Sequence, residues 1–103
     1  MSADPLPDRH LATIVVYGRH SCIFCRRTVQ WLDQQGLDHR FVVTEGAPAI
    51  RSALASVTGL TTVPQIFVHG RSVGGYQDLM ETARQGRLEV LLQEPPPDDA
   101  PVR

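Results

Sequence analysis

Short apolar runs alternate with longer amphipathic stretches along the chain. Residues 12–18 form a β-branched run that predicts a buried strand ending at Gly18. From Cys22 to Gln35, apolar side chains recur at the i, i+3, i+4, i+7 spacing of one helix face, and Gly36 follows as a helix-ending residue. The opening unit is therefore predicted to be a strand followed by a helix.

The remaining patterns extend this unit to a complete α/β domain. Further strands are predicted at residues 38–44, 65–69 and 72–73, and further helices at residues 47–57, 76–85 and 87–93. A turn at His69 and Gly70 joins the last two strands into a hairpin. The order β-α-β-α-β-β-α, closed by a short last helix, predicts a four-stranded mixed sheet with helices on both faces.

Prolines concentrate at the two ends of the chain and set off one domain. Six of the eight prolines lie at positions 5, 7, 95, 96, 97 and 101. We therefore expect a flexible tail at residues 1–9, one domain at residues 10–93 and a Pro-rich flexible tail at residues 94–103. The second tail is expected to be a disordered remnant, and docking into an aromatic groove of a partner is the alternative.

Composition and charge exclude several classes of partner. Hydrophobic residues make up 42% of the chain and the net charge is −1, which leaves no broad cationic surface for nucleic acid. The apolar runs are too short to span a membrane, and no secretory signal is visible at the start. We therefore expect a monomeric cytoplasmic protein. All ten basic residues are arginine, so every cation is permanently charged and can bind a carboxylate through two donors.

Two cysteines stand where the first strand gives way to the first helix. Cys22 and Cys25 are three residues apart on a first helical turn, close enough to form a disulfide. Cys22 lies near the helix N-cap, and Arg19, Arg26 and Arg27 surround it, so each charge is expected to lower its pKa. Cys25 faces the core and is expected to have the higher pKa. This asymmetry predicts that Cys22 attacks a disulfide and Cys25 resolves the resulting mixed disulfide.

A zinc site and an inert core pair are the alternatives to a redox dithiol. The pair could be half of a zinc site completed by His20 or His39, but the sequence has no second Cys-x-x-Cys and no closely spaced histidine pair. The cysteines could also be inert core residues, although the neighbouring arginines and the position at a strand-to-helix junction argue against this. We expect no metal site.

Two further patterns could contribute to a substrate site. The Val63–Pro64 bond, just before the third strand, could be cis and leave the Val63 backbone open to an extended substrate, or Pro64 could simply begin the strand. Gly74 and Gly75 precede a helix whose free N–H groups could bind a carboxylate, and Asp78 could cap that helix or bind an ammonium group. A ligand with an α-carboxylate and an α-amine would suit this helix start.

Together these patterns resemble the glutaredoxin family over about residues 14–92. The resemblance rests on three segments in this order: Arg19-His-Ser-Cys22-Ile-Phe-Cys25, Thr62-Val-Pro-Gln-Ile-Phe-Val68 and Gly74-Gly-Tyr-Gln-Asp-Leu79. It implies a thioredoxin fold, a cis bond before Pro64, glutathione as co-substrate and Cys22 as the nucleophile.

The resemblance also implies a glutathione-binding site. Arg19 would bind the glycine carboxylate, the Val63 backbone would pair with the cysteinyl part, and the start of the third helix would hold the γ-glutamyl end. The residues expected in this site are Arg19, Phe24, Thr62, Val63, Pro64, Gly75, Tyr76, Gln77 and Asp78. Three positions depart from the family pattern: Ile23 and Phe24 replace the usual proline and tyrosine, and Thr61 stands where many members have arginine or lysine.

The implied activity is that of a glutathione-dependent thiol–disulfide oxidoreductase. Its substrates would be protein disulfides and glutathione mixed disulfides. One alternative is an electron donor fed by thioredoxin reductase, against which the retained Gly74, Gly75 and Asp78 argue. Another is a dimer that binds a [2Fe–2S] cluster through Cys22 and glutathione, for which Ile23 is bulkier than the residues usual at that position.

Overall fold

The computed structural model describes residues 4–94 and has the predicted order of strands and helices. A 3₁₀-helix at Pro7–His10 precedes the first strand. The strands are β1 Ile14–Gly18, β2 Arg40–Val43, β3 Gln65–Val68 and β4 Arg71–Gly74, and the helices are α1 Ile23–Gln34, α2 Pro48–Thr58, α3 Tyr76–Arg84 and α4 Arg87–Gln93. Most bounds lie within one or two residues of those predicted, and β2 is shorter, because terminal residues pair and cap less regularly than the interiors of elements.

The four strands form one mixed sheet in the order β2-β1-β3-β4. β1 pairs parallel with β2, whereas β1 with β3 and β3 with β4 pair antiparallel. The predicted α/β fold and the hairpin of β3 and β4 are therefore confirmed. The parallel connection through α1 places the carboxyl end of β1 directly beside the start of that helix.

Both faces of β1 are buried, which accounts for its uninterrupted β-branched sequence. Ile14 and Val16 pack with apolar side chains of α1, α3 and α4, whereas Val15 and Tyr17 pack with side chains of α2. All five residues of the strand are buried. Since successive side chains of a strand point to opposite faces, helices cover both sides of the sheet.

Within the tail expected at residues 1–9, residues 4–9 are described, and they pack against the domain. Leu6 is only 2% exposed and packs on the same side of the sheet as Tyr17. The Asp4 carboxylate accepts a hydrogen bond from the Leu6 N–H at 2.9 Å and pairs with Arg9 at 3.4 Å. Leu6 holds this segment against the domain, because burial of its side chain among Val15, Tyr17, Leu54 and Phe67 removes apolar surface from water.

The opposite end of the described chain is formed by the last helix. Helix α4 ends at Gln93. Residues 95–103, which contain most of the predicted Pro-rich tail, lie outside the described residues. Within residues 4–94, no helix has both the length and the apolar character needed to cross a membrane.

The burial of Leu6 leads to a stability prediction. Leu6→Ala should lower the free energy of unfolding by about 2–4 kcal/mol, because it removes buried methyl groups and leaves a cavity. Urea denaturation followed by circular dichroism measures this change. The matched control is Leu11→Ala, since Leu11 is 51% exposed and should change stability by less than about 0.5 kcal/mol. Equal unfolding midpoints for Leu6→Ala and the unaltered chain would mean that this segment does not contribute to the core.

Candidate active site

The two cysteines occupy the junction between β1 and α1 and differ in exposure as the sequence predicts. Cys22 is the N-cap residue of α1, and Cys25 lies in the first turn of that helix. Both are free thiols; Cys22 is half-buried, whereas Cys25 is completely buried. The structure therefore presents one accessible sulfur and keeps a second one directly behind it.

A glycine at the end of β1 allows α1 to begin this close to the sheet. A Cβ atom on Gly18 would lie 2.7 Å from the Cys25 Sγ and 3.1 Å from the Phe41 ring. Both separations are too short for a side chain to fit without displacing its neighbours. Position 18 therefore needs a glycine, because a side chain there would collide with Cys25 and with Phe41.

Hydrogen bonds stabilise the Cys22 thiolate. Burial alone would raise the pKa of Cys22, but hydrogen bonds from the Cys25 thiol and from the Cys25 and Phe24 N–H groups outweigh it, and the Arg19 charge adds to them. The Cys25 N–H donates to the Cys22 Sγ at 3.2 Å. The pKa of Cys22 therefore lies below that of an ordinary thiol. The free N–H groups of a helix start favour an anion in the same way.

Cys25 shifts in the opposite direction. Burial, followed by its hydrogen bond to Cys22, raises the pKa of the Cys25 thiol to about 12. At neutral pH this sulfur is therefore protonated, whereas Cys22 loses its proton more readily than an ordinary thiol. The two thiols have the unequal pKa values that the sequence predicts.

The structure corrects the expected role of two arginines. Of the three predicted charges, Arg19 is the one that lowers the pKa of Cys22. The Arg27 guanidinium lies 5.3 Å from the centre of the Phe24 ring, and Arg26 lines a cavity on the side of α1. Their side chains belong to the surface around the dithiol, not to the set of groups that stabilise its thiolate.

The backbone before β3 forms the opposite wall of the site. The Val63–Pro64 peptide bond is cis, which is one of the two alternatives that the sequence left open. The Cys22 Sγ lies 3.9 Å from the Val63 carbonyl oxygen. Residues 41 positions apart in the chain are thus brought into contact at the reactive sulfur.

A buried glutamine fixes this wall in place, and sequence reasoning did not identify it. Gln65 is 1% exposed; its Nε2 donates to the carbonyl oxygens of Leu60 and Thr62, each at 3.0 Å. Its Oε1 accepts from the Thr58 hydroxyl at 2.9 Å. The signal that could have found it is a polar residue in an otherwise apolar strand, because a buried amide needs partners.

The residues expected to bind glutathione surround two adjoining cavities. Arg19 lines a cavity of about 550 Å³ that also contains Thr62 and Val63. The eight others share a cavity of about 260 Å³, which is lined by Phe24, Thr62, Val63, Pro64, Gly75, Tyr76, Gln77 and Asp78. The Phe24 and Tyr76 rings lie 5.6 Å apart at its edge. The structure thus brings these residues together, and their individual roles stay predictions.

The start of α3 is held by Asp78. The Gly75 N–H donates to the Asp78 Oδ2 at 2.9 Å, so this side chain caps its own helix. Gly74 has a φ of 106°, and a Cβ atom there would overlap the Asp78 carboxylate. The double glycine therefore gives the loop the shape that brings Asp78 back over the first turn.

Arg51 is a second site residue that the sequence did not reveal. It lines the larger cavity together with Arg19 and Thr61, and its guanidinium donates to the Thr44 carbonyl oxygen at 2.9 Å. Arg51 lies on α2, far from any cysteine or glycine motif, so no local pattern marks it. Two guanidinium groups on one cavity can bind a carboxylate. Among residues 4–94, no group of three or more His, Cys, Asp or Glu side chains is placed to hold a metal ion.

Comparisons with known proteins agree with this geometry. The family model described as Glutaredoxin matches residues 14–73. The chain is 39% identical over 79 residues to glutaredoxin of Pseudomonas aeruginosa, covering 77% of this chain and 94% of the relative. It is 31% identical over 83 residues to glutaredoxin 3 of Escherichia coli, covering 81% and 100%. The buckwheat glutaredoxin–glutathione complex superposes with a TM-score of 0.77 and 31% identity, covering 82% of this chain and 79% of that one.

The opposite pKa shifts predict selective alkylation. Iodoacetamide should modify Cys22 and leave Cys25 unmodified at neutral pH, because Cys22 is both the more acidic and the more accessible of the two thiols. The rate should fall as pH decreases through the lowered pKa of Cys22. Peptide mass spectrometry after timed alkylation measures both sites. The control is the urea-unfolded chain, in which the two thiols should react at similar rates; equal rates in the folded chain would contradict the predicted asymmetry.

Proposed function

The chain belongs to the glutaredoxin family of thiol–disulfide oxidoreductases, and from this membership we propose that it reduces protein disulfides and glutathione mixed disulfides with glutathione as co-substrate. The observation that carries the proposal is the position of the Cys22 sulfur, which caps α1 and lies 3.9 Å from the carbonyl oxygen of Val63, a residue that lines both cavities. The complex of the buckwheat relative with glutathione supports the choice of co-substrate.

The proposed reaction with a glutathione mixed disulfide uses Cys22 alone. The Cys22 thiolate attacks the glutathione sulfur, a Cys22–glutathione disulfide forms, and the target thiol leaves as a thiolate that takes a proton from water. A second glutathione thiolate then attacks the sulfur of the bound glutathione. Glutathione disulfide leaves, and the Cys22 thiolate is restored.

A protein disulfide requires the second thiol. Cys22 attacks one target sulfur and forms a mixed disulfide while the other target sulfur leaves as a thiolate. The Cys25 thiol then gives its proton to that target thiolate and attacks the Cys22 sulfur. The second target sulfur leaves as a thiolate that takes a proton from water, and a Cys22–Cys25 disulfide forms. Two glutathione molecules reduce that bond. The short helical spacing and the burial of Cys25 favour this internal attack over reaction with solvent thiols.

The proposed contacts with glutathione are divided between the two cavities. In the larger one, Arg19 and Arg51 would bind the glycine carboxylate, so Arg51 would supply the second cation that Thr61 does not. In the smaller one, the Val63 backbone would pair with the cysteinyl part, and the N–H groups at the start of α3 would receive the γ-glutamyl carboxylate. Asp78, at the same place, would attract the glutamyl ammonium group.

The division of labour between the thiols can be tested by substitution. Cys22→Ser should abolish turnover of a small glutathione mixed disulfide, and Cys25→Ser should retain it, because only Cys22 attacks that substrate. The measurement is NADPH consumption coupled through glutathione reductase. With a protein disulfide as substrate, both variants should lose activity. Equal loss of mixed-disulfide turnover in the two variants would contradict the proposed roles.

The same preparations separate the alternatives raised by the sequence. A donor fed by thioredoxin reductase would show no turnover with glutathione but would be reduced by that enzyme. A cluster-binding dimer would develop visible absorption after anaerobic reconstitution with iron, sulfide and glutathione, and would elute as a dimer. The proposed oxidoreductase should turn over with glutathione and elute as a monomer without visible absorption, so a chain that shows no glutathione turnover but is reduced by thioredoxin reductase would contradict the proposal.

The proposed role of Arg51 gives a second test. Arg51→Ala should raise the KM for a glutathione mixed disulfide about three- to tenfold with little change in kcat, because it removes one charged hydrogen bond to the glycine carboxylate of the bound glutathione half. Arg51→Lys should recover part of the loss. The control is Arg40→Ala, since Arg40 is exposed and pairs with Val15 at the start of β2, whereas the end of that strand pairs with Gly18 beside the site. An unchanged KM in Arg51→Ala would exclude this contact.

A further inference from the structure

The two proposed glutathione cavities account for only one side of the reactive sulfur. A third cavity, of about 420 Å³, runs along α1 and shares only Arg19 with them. Cys25 lines it, so it reaches the buried sulfur of the dithiol. A mixed disulfide has two halves, and its protein half must lie outside the glutathione site. The cavity borders the helical turn that Cys22 begins, since the N–H of its lining residue Arg26 donates to the Cys22 carbonyl oxygen at 3.1 Å, and the proposed glutathione contacts leave it free.

The walls of this cavity combine apolar surface with positive charge. Val29 and Phe41 form apolar walls, and the His20 ring lies 5.4 Å from the Phe41 ring. Arg26 is exposed at the same cavity and, within the described part of the chain, makes no ion pair. Asp33 lines the cavity two turns further along α1, so positive charge lies near the dithiol and negative charge at the other end.

The exposed surface next to the cavity has the composition of a protein interface. Ile23 is 50% exposed and Phe24 is 43% exposed, and Arg27 lies over the Phe24 ring. Arginine and aromatic side chains contribute most of the binding energy in many protein interfaces, and large exposed apolar residues beside them mark a contact surface. The chain as a whole carries a net charge of −1, so this concentration of arginine around Cys22 is local.

We propose that the cavity along α1 docks the protein half of the substrate, and that it selects targets with an acidic and an apolar residue next to the oxidised cysteine. The acidic side chain pairs with Arg26, and the apolar side chain packs against Val29 and Phe41. A basic residue at the same place is disfavoured by like-charge repulsion. The inference rests on the proposed use of glutathione mixed disulfides, and it adds which proteins form the other half of those disulfides.

Two synthetic peptides test this selectivity. Each carries one glutathione-linked cysteine next to phenylalanine; the first has glutamate residues beside it, and the second has lysine at those places. kcat/KM for both is measured with the unaltered chain, Arg26→Glu and the control Arg87→Glu. Arg87 is exposed and starts α4, whose Leu88 lies near the far end of α1, so the control makes the same charge change at a distance.

The expected result is a preference for the acidic peptide of about tenfold at low salt, because complementary charge raises the rate of productive encounter. Added salt should reduce the preference. Arg26→Glu should reduce or invert it, and Arg87→Glu should leave it unchanged. Equal rates for the two peptides, or equal effects of the two substitutions, would overturn the inference.

A small substrate separates this inference from the function on which it rests. The mixed disulfide of glutathione and 2-mercaptoethanol has no protein half, so it reports glutathione-dependent turnover without docking. If the unaltered chain does not reduce it, the proposed function fails whatever the peptides show. If the chain reduces it but does not distinguish the peptides, only the docking inference fails.

Discussion

The close approach of α1 to the end of β1 is the constraint on which the site depends. Because Gly18 has no side chain, the Cys25 sulfur can lie 2.7 Å from the position that a Cβ atom would take, against the last residue of the strand. This contact buries Cys25 and, one turn earlier, leaves Cys22 at the helix start. From there the Cys22 sulfur reaches the Val63 carbonyl oxygen on the neighbouring loop. The position of the reactive atom is thus a result of sheet-to-helix packing.

This placement gives the thiols of Cys22 and Cys25 different reactivity. Burial keeps Cys25 protonated, whereas the hydrogen bonds at the N-terminus of α1 stabilise the Cys22 anion. Since Arg19 adds the charge that acts on Cys22, the neighbouring Arg26 and Arg27 are not needed for that purpose. Their positive charge remains on the surface, where an approaching substrate would meet it. Reactivity and substrate selection can therefore depend on different arginines of one short segment.

The sequence was sufficient to predict the strand and helix order, the dithiol and the residues around the smaller cavity. The strand and helix order and the dithiol depend on periodicity and short motifs, which are local in the chain. Most residues around the smaller cavity were expected from the resemblance to the glutaredoxin family. What it did not reveal depends on contacts between distant segments. Leu6 is surrounded by prolines, and its burial follows from a space between strand and helix side chains. Gln65 and Arg51 were missed because their partners lie on loops whose positions only the folded chain defines.

Because Cys22 caps α1, the reduction potential of the dithiol and the stability of the fold are linked. In the reduced chain, the Cys22 sulfur is the acceptor for the Cys25 N–H at the start of α1. A disulfide sulfur carries no charge and accepts more weakly, so the oxidised chain loses part of this stabilisation. In a thermodynamic cycle, the free energy by which the cap stabilises the reduced fold over the oxidised fold also makes the reduction potential of the dithiol less negative. A substitution that weakens this cap would thus make the dithiol a stronger reductant while it destabilises the reduced fold.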